Sequence, residues 1–115
     1  MSEVTIYHNP RCRKSRETLQ LLRNRGIEPR VVHYLDDVPD AQQLKLILAK
    51  LDLKAHQLVR TEETLYREKF RSLQLNDDEW VAIMRENPKL IQRPIVINGA
   101  KAALGRPPEN VLHIL

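Results

Sequence analysis

The chain has a single cysteine, Cys12, set in His8-Asn9-Pro10-Arg11-Cys12-Arg13-Lys14-Ser15-Arg16. A thiolate is the strongest nucleophile that protein side chains offer near neutral pH, and nearby cations favour its formation. Arg11, Arg13, Lys14 and Arg16 supply that field. Ser15 follows three positions later and could donate to the sulfur, while His8 could tune the thiol or orient Asn9. The competing readings are a buried cysteine acting as a small apolar residue and a loop histidine satisfied by its neighbours. One sulfur excludes an internal disulfide and a cysteine-only zinc site. A redox cycle would have to draw its second sulfur from another molecule.

The charge distribution says what that sulfur could meet. Residues 1–35 carry seven Lys or Arg against three acids, and residues 36–115 carry twelve of each, so the whole excess of +4 lies around Cys12. This pattern favours a local anion site over a nucleic-acid tract, since the cations form no long run and no aromatic-rich reading surface accompanies them. No phosphate-binding glycine loop is present. Nor is a phosphatase-like cysteine–arginine loop, because the sixth residue after Cys12 is Thr18. A multiply charged oxyanion would need arginines from elsewhere. Arg60, Arg93 and Arg106 are the candidates, each at an expected element boundary and each able to offer planar, charge-assisted hydrogen bonds. Taken singly, each also reads as an ordinary surface residue. The histidines at 8, 33, 56 and 113 have no metal-ligand spacing, and no metal is expected.

These residues need elements to hold them. Val4-Thr5-Ile6-Tyr7 has strand character, and Pro10 interrupts it. A helix runs from about Cys12 to Arg25, with Gly26 as its terminator. Residues 30–35 read as the next strand, giving a β-α-β unit with a parallel pairing. Asp36-Asp37-Val38-Pro39-Asp40 opens a helix with Leu44, Ile47, Leu48 and Leu51 at a period near 3.6. A short segment ends near Arg60, residues 62–71 form a surface helix, and Asn76 caps another that places Trp80, Ile83 and Met84 on one stripe. Pro94 is a candidate cis proline before a strand. Asn98-Gly99 predicts a two-residue turn that pairs 95–97 with 100–104. A terminal helix follows Pro107-Pro108. The expected fold is α/β: a mixed four-stranded sheet with a helical insertion, whose element order resembles the thioredoxin-like fold.

At 115 residues with 42% hydrophobic content, the chain has room for one domain, 1–115, and shows no linker or repeat. No apolar run approaches the ~20 residues of a membrane span. The start, Met1-Ser2-Glu3-Val4, lacks a secretory pattern, so a cytoplasmic protein is expected.

Four segments together resemble the glutaredoxin-coupled arsenate reductase family: the stretch from His8 to Arg16, Leu58-Val59-Arg60, Arg93-Pro94-Ile95-Val96-Ile97, and Leu104-Gly105-Arg106-Pro107. The resemblance spans nearly the whole chain. It implies that Cys12 is the catalytic cysteine, with His8 maintaining its surroundings, and that Arg60, Arg93 and Arg106 bind the oxyanion. It also implies arsenate reduction with glutathione as cosubstrate and glutaredoxin as partner, in a monomer with no tightly bound cofactor. Arg13-Lys14 stands where well-known members more often have Gly-Thr. The alternatives are a non-enzymatic thioredoxin-fold redox or stress regulator, and a thiol-dependent enzyme acting on another oxyanion or a glutathionylated substrate.

Overall fold

The computed structural model describes residues 3–115; Met1 and Ser2, part of the segment read for a leader, lie outside them. The chain divides into two compact units. One comprises the described residues to Asp37 together with Arg93–Leu115, and the other is Val38–Gln92.

A four-stranded sheet in the order β2-β1-β3-β4 organises the first unit. β1 (Val4–Tyr7) runs parallel to β2 (Arg30–Val32) and antiparallel to β3 (Ile95–Asn98), which pairs antiparallel with β4 (Lys101–Leu104). α1 (Arg13–Asn24) links β1 to β2. Ile6 stands opposite Val96 across the β1–β3 ladder, and both pack with Leu22 of α1 and Val111 in a fully buried cluster. Burying each such side chain contributes roughly 1.5–3 kcal/mol, so sheet, helix and C-terminal segment hold one another in place. This is the expected thioredoxin-like arrangement.

Three local expectations change. β2 stops at Val32, because the His33 carbonyl accepts from the Asp36 and Asp37 amides (3.0 and 2.8 Å) and turns the chain. The hairpin pairs Asn98 with Lys101, which makes Gly99-Ala100 the turn rather than Asn98-Gly99. Gly99 alone takes a positive φ of 62°, the requirement of a turn with glycine in its first central position. Asn98 is kept in the strand by donating from Nδ2 to the Ile114 carbonyl at 2.7 Å. The terminal segment Pro108–Ile114 is a 3-10 helix rather than an α-helix.

The second unit is helical: α2 (Ala41–Leu51), α3 (Thr64–Lys69) and α4 (Asp77–Glu86), with 3-10 turns at Ala55–Leu58 and Pro88–Leu90. The surface helix read at 62–71 is thus shorter than expected. α2 buries Leu44, Ile47 and Leu48, while α4 buries Trp80, Val81 and Met84, with Ile83 only half-buried. The His56 ring stacks on Trp80 with centroids 4.6 Å apart, and its Nε2 lies 2.8 Å from the Tyr66 hydroxyl. Among the described residues no helix is long and apolar enough to cross a membrane.

Candidate active site

Pro10 breaks β1 from α1, and the loop between them is tied by its own polar groups. Asn9 is almost wholly buried. Its Oδ1 accepts from the Arg11 amide at 3.0 Å, and its carbonyl accepts from the Cys12 amide at 2.9 Å. These bonds deliver Cys12 to the N-cap position of α1, with the extended backbone (φ −94°, ψ 121°) that such positions require. The first-turn amides of a helix lack internal partners, and here no side chain caps them.

Cys12 is half-buried, and burial alone would raise its pKa. The Ser15 amide, a hydrogen bond and the charge from the Arg93 side chain, and the Lys14 amide outweigh that penalty, so the thiol titrates below its ordinary value. The sulfur forms no full capping bond to the helix, so these amides act on it as oriented dipoles. Arg106 approaches from the C-terminal segment. Its Nη1 lies 4.0 Å from the Cys12 Sγ and donates to the Arg93 carbonyl at 3.2 Å. Both arginines precede proline, and the Arg93–Pro94 and Arg106–Pro107 bonds are cis.

Gly105 makes that approach sterically possible. Its amide donates to the Pro94 carbonyl at 3.0 Å. A Cβ at this position would collide with the Thr18 hydroxyl oxygen and lie 2.7 Å from Pro94 Cγ. Thr18 is fully buried on α1, with its hydroxyl donating to the Lys14 carbonyl at 2.8 Å, so it cannot swing clear without losing that bond.

Ser15 supports the sulfur through its amide, whereas its hydroxyl is engaged elsewhere. The Asn9 amide donates to Ser15 Oγ at 3.0 Å, and Oγ lies 2.6 Å from His8 Nδ1, all in a buried setting. His8 is held below its ordinary pKa by burial first, then by the neighbouring charges of His33, Arg23 and Arg16. His8 therefore stands behind the loop, braced through Ser15. The Ser15 hydroxyl oxygen is thus engaged by His8 and by the Asn9 amide, and the Ser15 amide supports the sulfur.

The remaining cations differ in placement. Arg13 points outward, 84% exposed, and pairs with Glu17 at 3.4 Å. Arg16 donates to the Pro10 carbonyl at 3.0 Å and braces the loop from outside. Arg60 belongs to the second unit, where its Nε lies 3.3 Å from Glu63 and 3.4 Å from Glu62, and its Nη1 lies 3.4 Å from Gln92 Oε1. The first unit thus gathers Cys12, His8, Ser15, Arg93 and Arg106. Asn9 and Gly105 also build the site, roles that the sequence alone did not assign to them. Asn-Pro ahead of the cysteine and glycine ahead of the arginine were the available signals.

Such a site can hold a thiolate beside two guanidinium groups and present it to an oxyanion. Among the described residues no cluster of His, Cys, Asp and Glu could hold a metal ion.

A model of the ArsC family matches residues 7–114. The chain is 48% identical over 115 residues to an Escherichia coli (strain K12) protein named YfgD and uncharacterised, covering 98% of this chain and 97% of that one. It is 47% identical over 114 residues to an arsenate reductase of Haemophilus influenzae, covering 97% and 98%. A solved structure of an arsenate reductase from Vibrio cholerae superposes with a TM-score of 0.94 at 49% identity, covering 99% of this chain and 98% of that one.

Proposed function

Because this chain belongs to the ArsC family, we propose that it reduces arsenate to arsenite at Cys12, with glutathione and glutaredoxin as reductants. The observation that carries this reading is the meeting of one activated sulfur with two arginines: Arg106 Nη1 lies 4.0 Å from it, and Arg93 helps hold its pKa below the ordinary value.

Arg93 and Arg106 bind arsenate oxygens and offset their charge, and Arg60 joins them on the strength of the Leu58-Val59-Arg60 match. The Cys12 thiolate attacks arsenic, forming a sulfur–arsenic bond as one oxygen leaves as water or hydroxide. Glutathione then displaces a second oxygen, so that arsenic carries both sulfurs. A glutaredoxin thiolate attacks the glutathione sulfur and forms a mixed disulfide. The electron pair of the broken glutathione–arsenic bond stays on arsenic, which passes from the +5 to the +3 state. Water replaces Cys12, releasing arsenite and the thiol. The lone cysteine requires this external chemistry, since the chain holds no resolving sulfur. His8 and Ser15 maintain the loop geometry and take no substrate contact. Residues 1–115 act as one arsenate-reductase-like domain and as a monomer, in the reducing cytoplasm that supplies both thiols.

The test is arsenite production from arsenate, glutathione and glutaredoxin. Wild type turns over only with both reductants, and Cys12→Ser gives neither arsenite nor a covalent arsenic adduct. An adduct in that variant, or turnover without its thiol, removes Cys12 from the role. A wild-type protein that yields no arsenite overturns the reading in favour of a regulatory thiol.

A further inference from the structure

A cavity of about 290 Å³ lies against the loop that leads into Cys12. It opens where the parallel strands β1 and β2 end, walled by loop residues 9–11, by His8, and by His33, Leu35 and Asp36 beyond β2. The crevice outside the carboxyl ends of parallel strands is where open α/β sheets place ligands. The volume is at the lower end of small-molecule sites.

Its chemistry is mixed in sign. Arg11 brings a guanidinium and Asp36 a carboxylate, both exposed. Neither charge is paired with the other or with any described residue; the Arg11 backbone amide alone is engaged, by Asn9 Oδ1. The His33 ring stands edge-on to His8 at 6.0 Å. A cavity with one unpaired cation, one unpaired anion and imidazoles in its wall suits a zwitterion. It does not suit arsenate, which the carboxylate would repel.

Resting on the arsenate-reductase reading, we propose that this cavity is the binding site for the γ-glutamyl tripeptide thiol that serves as reductant. Arg11 takes the α-carboxylate of its γ-glutamyl end and Asp36 takes the ammonium. The Asn9-Pro10-Arg11 strip forms one wall of the cavity and leads directly into Cys12, so a tripeptide anchored there has its thiol arm directed toward the sulfur that holds arsenic. The oxyanion and the thiol then occupy separate subsites of one loop, without competing for the same arginines.

Charge reversal tests this in the full enzyme with arsenate and glutaredoxin. Arg11→Glu and Asp36→Lys each raise the KM for glutathione about tenfold and leave the KM for arsenate within twofold. A glutathione analogue lacking the amino group loses affinity in wild type, and Asp36→Asn weakens it no further. Unchanged glutathione KM in both reversals overturns the proposal, as does an equal rise in arsenate KM. S-methylglutathione, which cannot reduce arsenic, separates the two failures. If it shifts the His33 imidazole resonances in wild type and not in Asp36→Lys, the subsite stands even where no arsenite forms. If it leaves them unmoved in wild type, the subsite falls even where arsenite does form.

Discussion

The two units start their longer helices in opposite ways. In the helical unit, Asp40 Oδ1 accepts from the Gln43 amide and Gln43 Oε1 from the Asp40 amide, both at 2.8 Å. Asn76 and Glu79 repeat the exchange at 2.9 and 3.0 Å, and α4 carries three acids in its first turn. Every such bond consumes a free amide donor and favours the folded state. In the sheet unit, α1 begins at Cys12 with no capping bond and no acid in its first turn. Its donors remain directed at a sulfur and at whatever anion the sulfur meets. One chain thus uses the same local feature, a helix start, for stability in one region and for reactivity in the other.

Removing the field on the sulfur is the strongest way to break this contrast. Arg93→Ala should lower arsenate turnover about 10²-fold, the scale of losing one donor to a developing anion. Its thiol should also titrate higher. Because the wild-type pKa is depressed, thiolate is present at pH values where an ordinary thiol is protonated. The alkylation rate of Cys12 by iodoacetamide should therefore rise with pH at a lower midpoint in wild type than in Arg93→Ala. At neutral pH the variant should react about tenfold more slowly. Coincident profiles would detach Arg93 from the thiol.

Uncapping the other unit should move stability and leave chemistry alone. Asp40→Ala and Asn76→Ala should each cost about 1 kcal/mol in denaturant unfolding. Their Cys12 alkylation profiles should match wild type, and a shift in either would blur the division between regions. The smallest effect sharpens the contrast from the other side. Cys12→Asp installs a preferred cap where the sequence has a nucleophile, and should stabilise the protein by about 0.5 kcal/mol while abolishing arsenite formation. A loss of stability would mean that the amides of α1 are not available to a cap.

Elements governed by short-range physics were readable from residue order. The caps at Asp40 and Asn76, the 3.6-residue period of α2 and the strand–proline–helix passage around Pro10 all act within a few positions of themselves. The hairpin marks the edge of that range. Asn98-Gly99 has the composition of a two-residue turn, but the bond from Asn98 to the Ile114 carbonyl, sixteen residues away, holds Asn98 in the strand and moves the turn on by one. β2 ends early for a similar reason: Leu35 is apolar enough for a strand, yet the bonds to the His33 carbonyl turn the chain first. Ser15 was recognisable as a group near the sulfur. That its hydroxyl faces His8 depended on where β1 delivers the imidazole.

The residue order by itself determined that this protein has one nucleophilic sulfur, a cationic surround for it, and helices and strands able to present it. Only the tertiary structure decided which arginines meet that sulfur. Arg106 lies 94 positions from Cys12, and no local preference acts over that distance. The β2-β1-β3-β4 order sets β3 beside β1, and the missing side chain of Gly105 lets the segment after β4 close against α1. Propensities and caps are settled within a turn or two of chain, whereas a binding site is settled by which surfaces must bury one another.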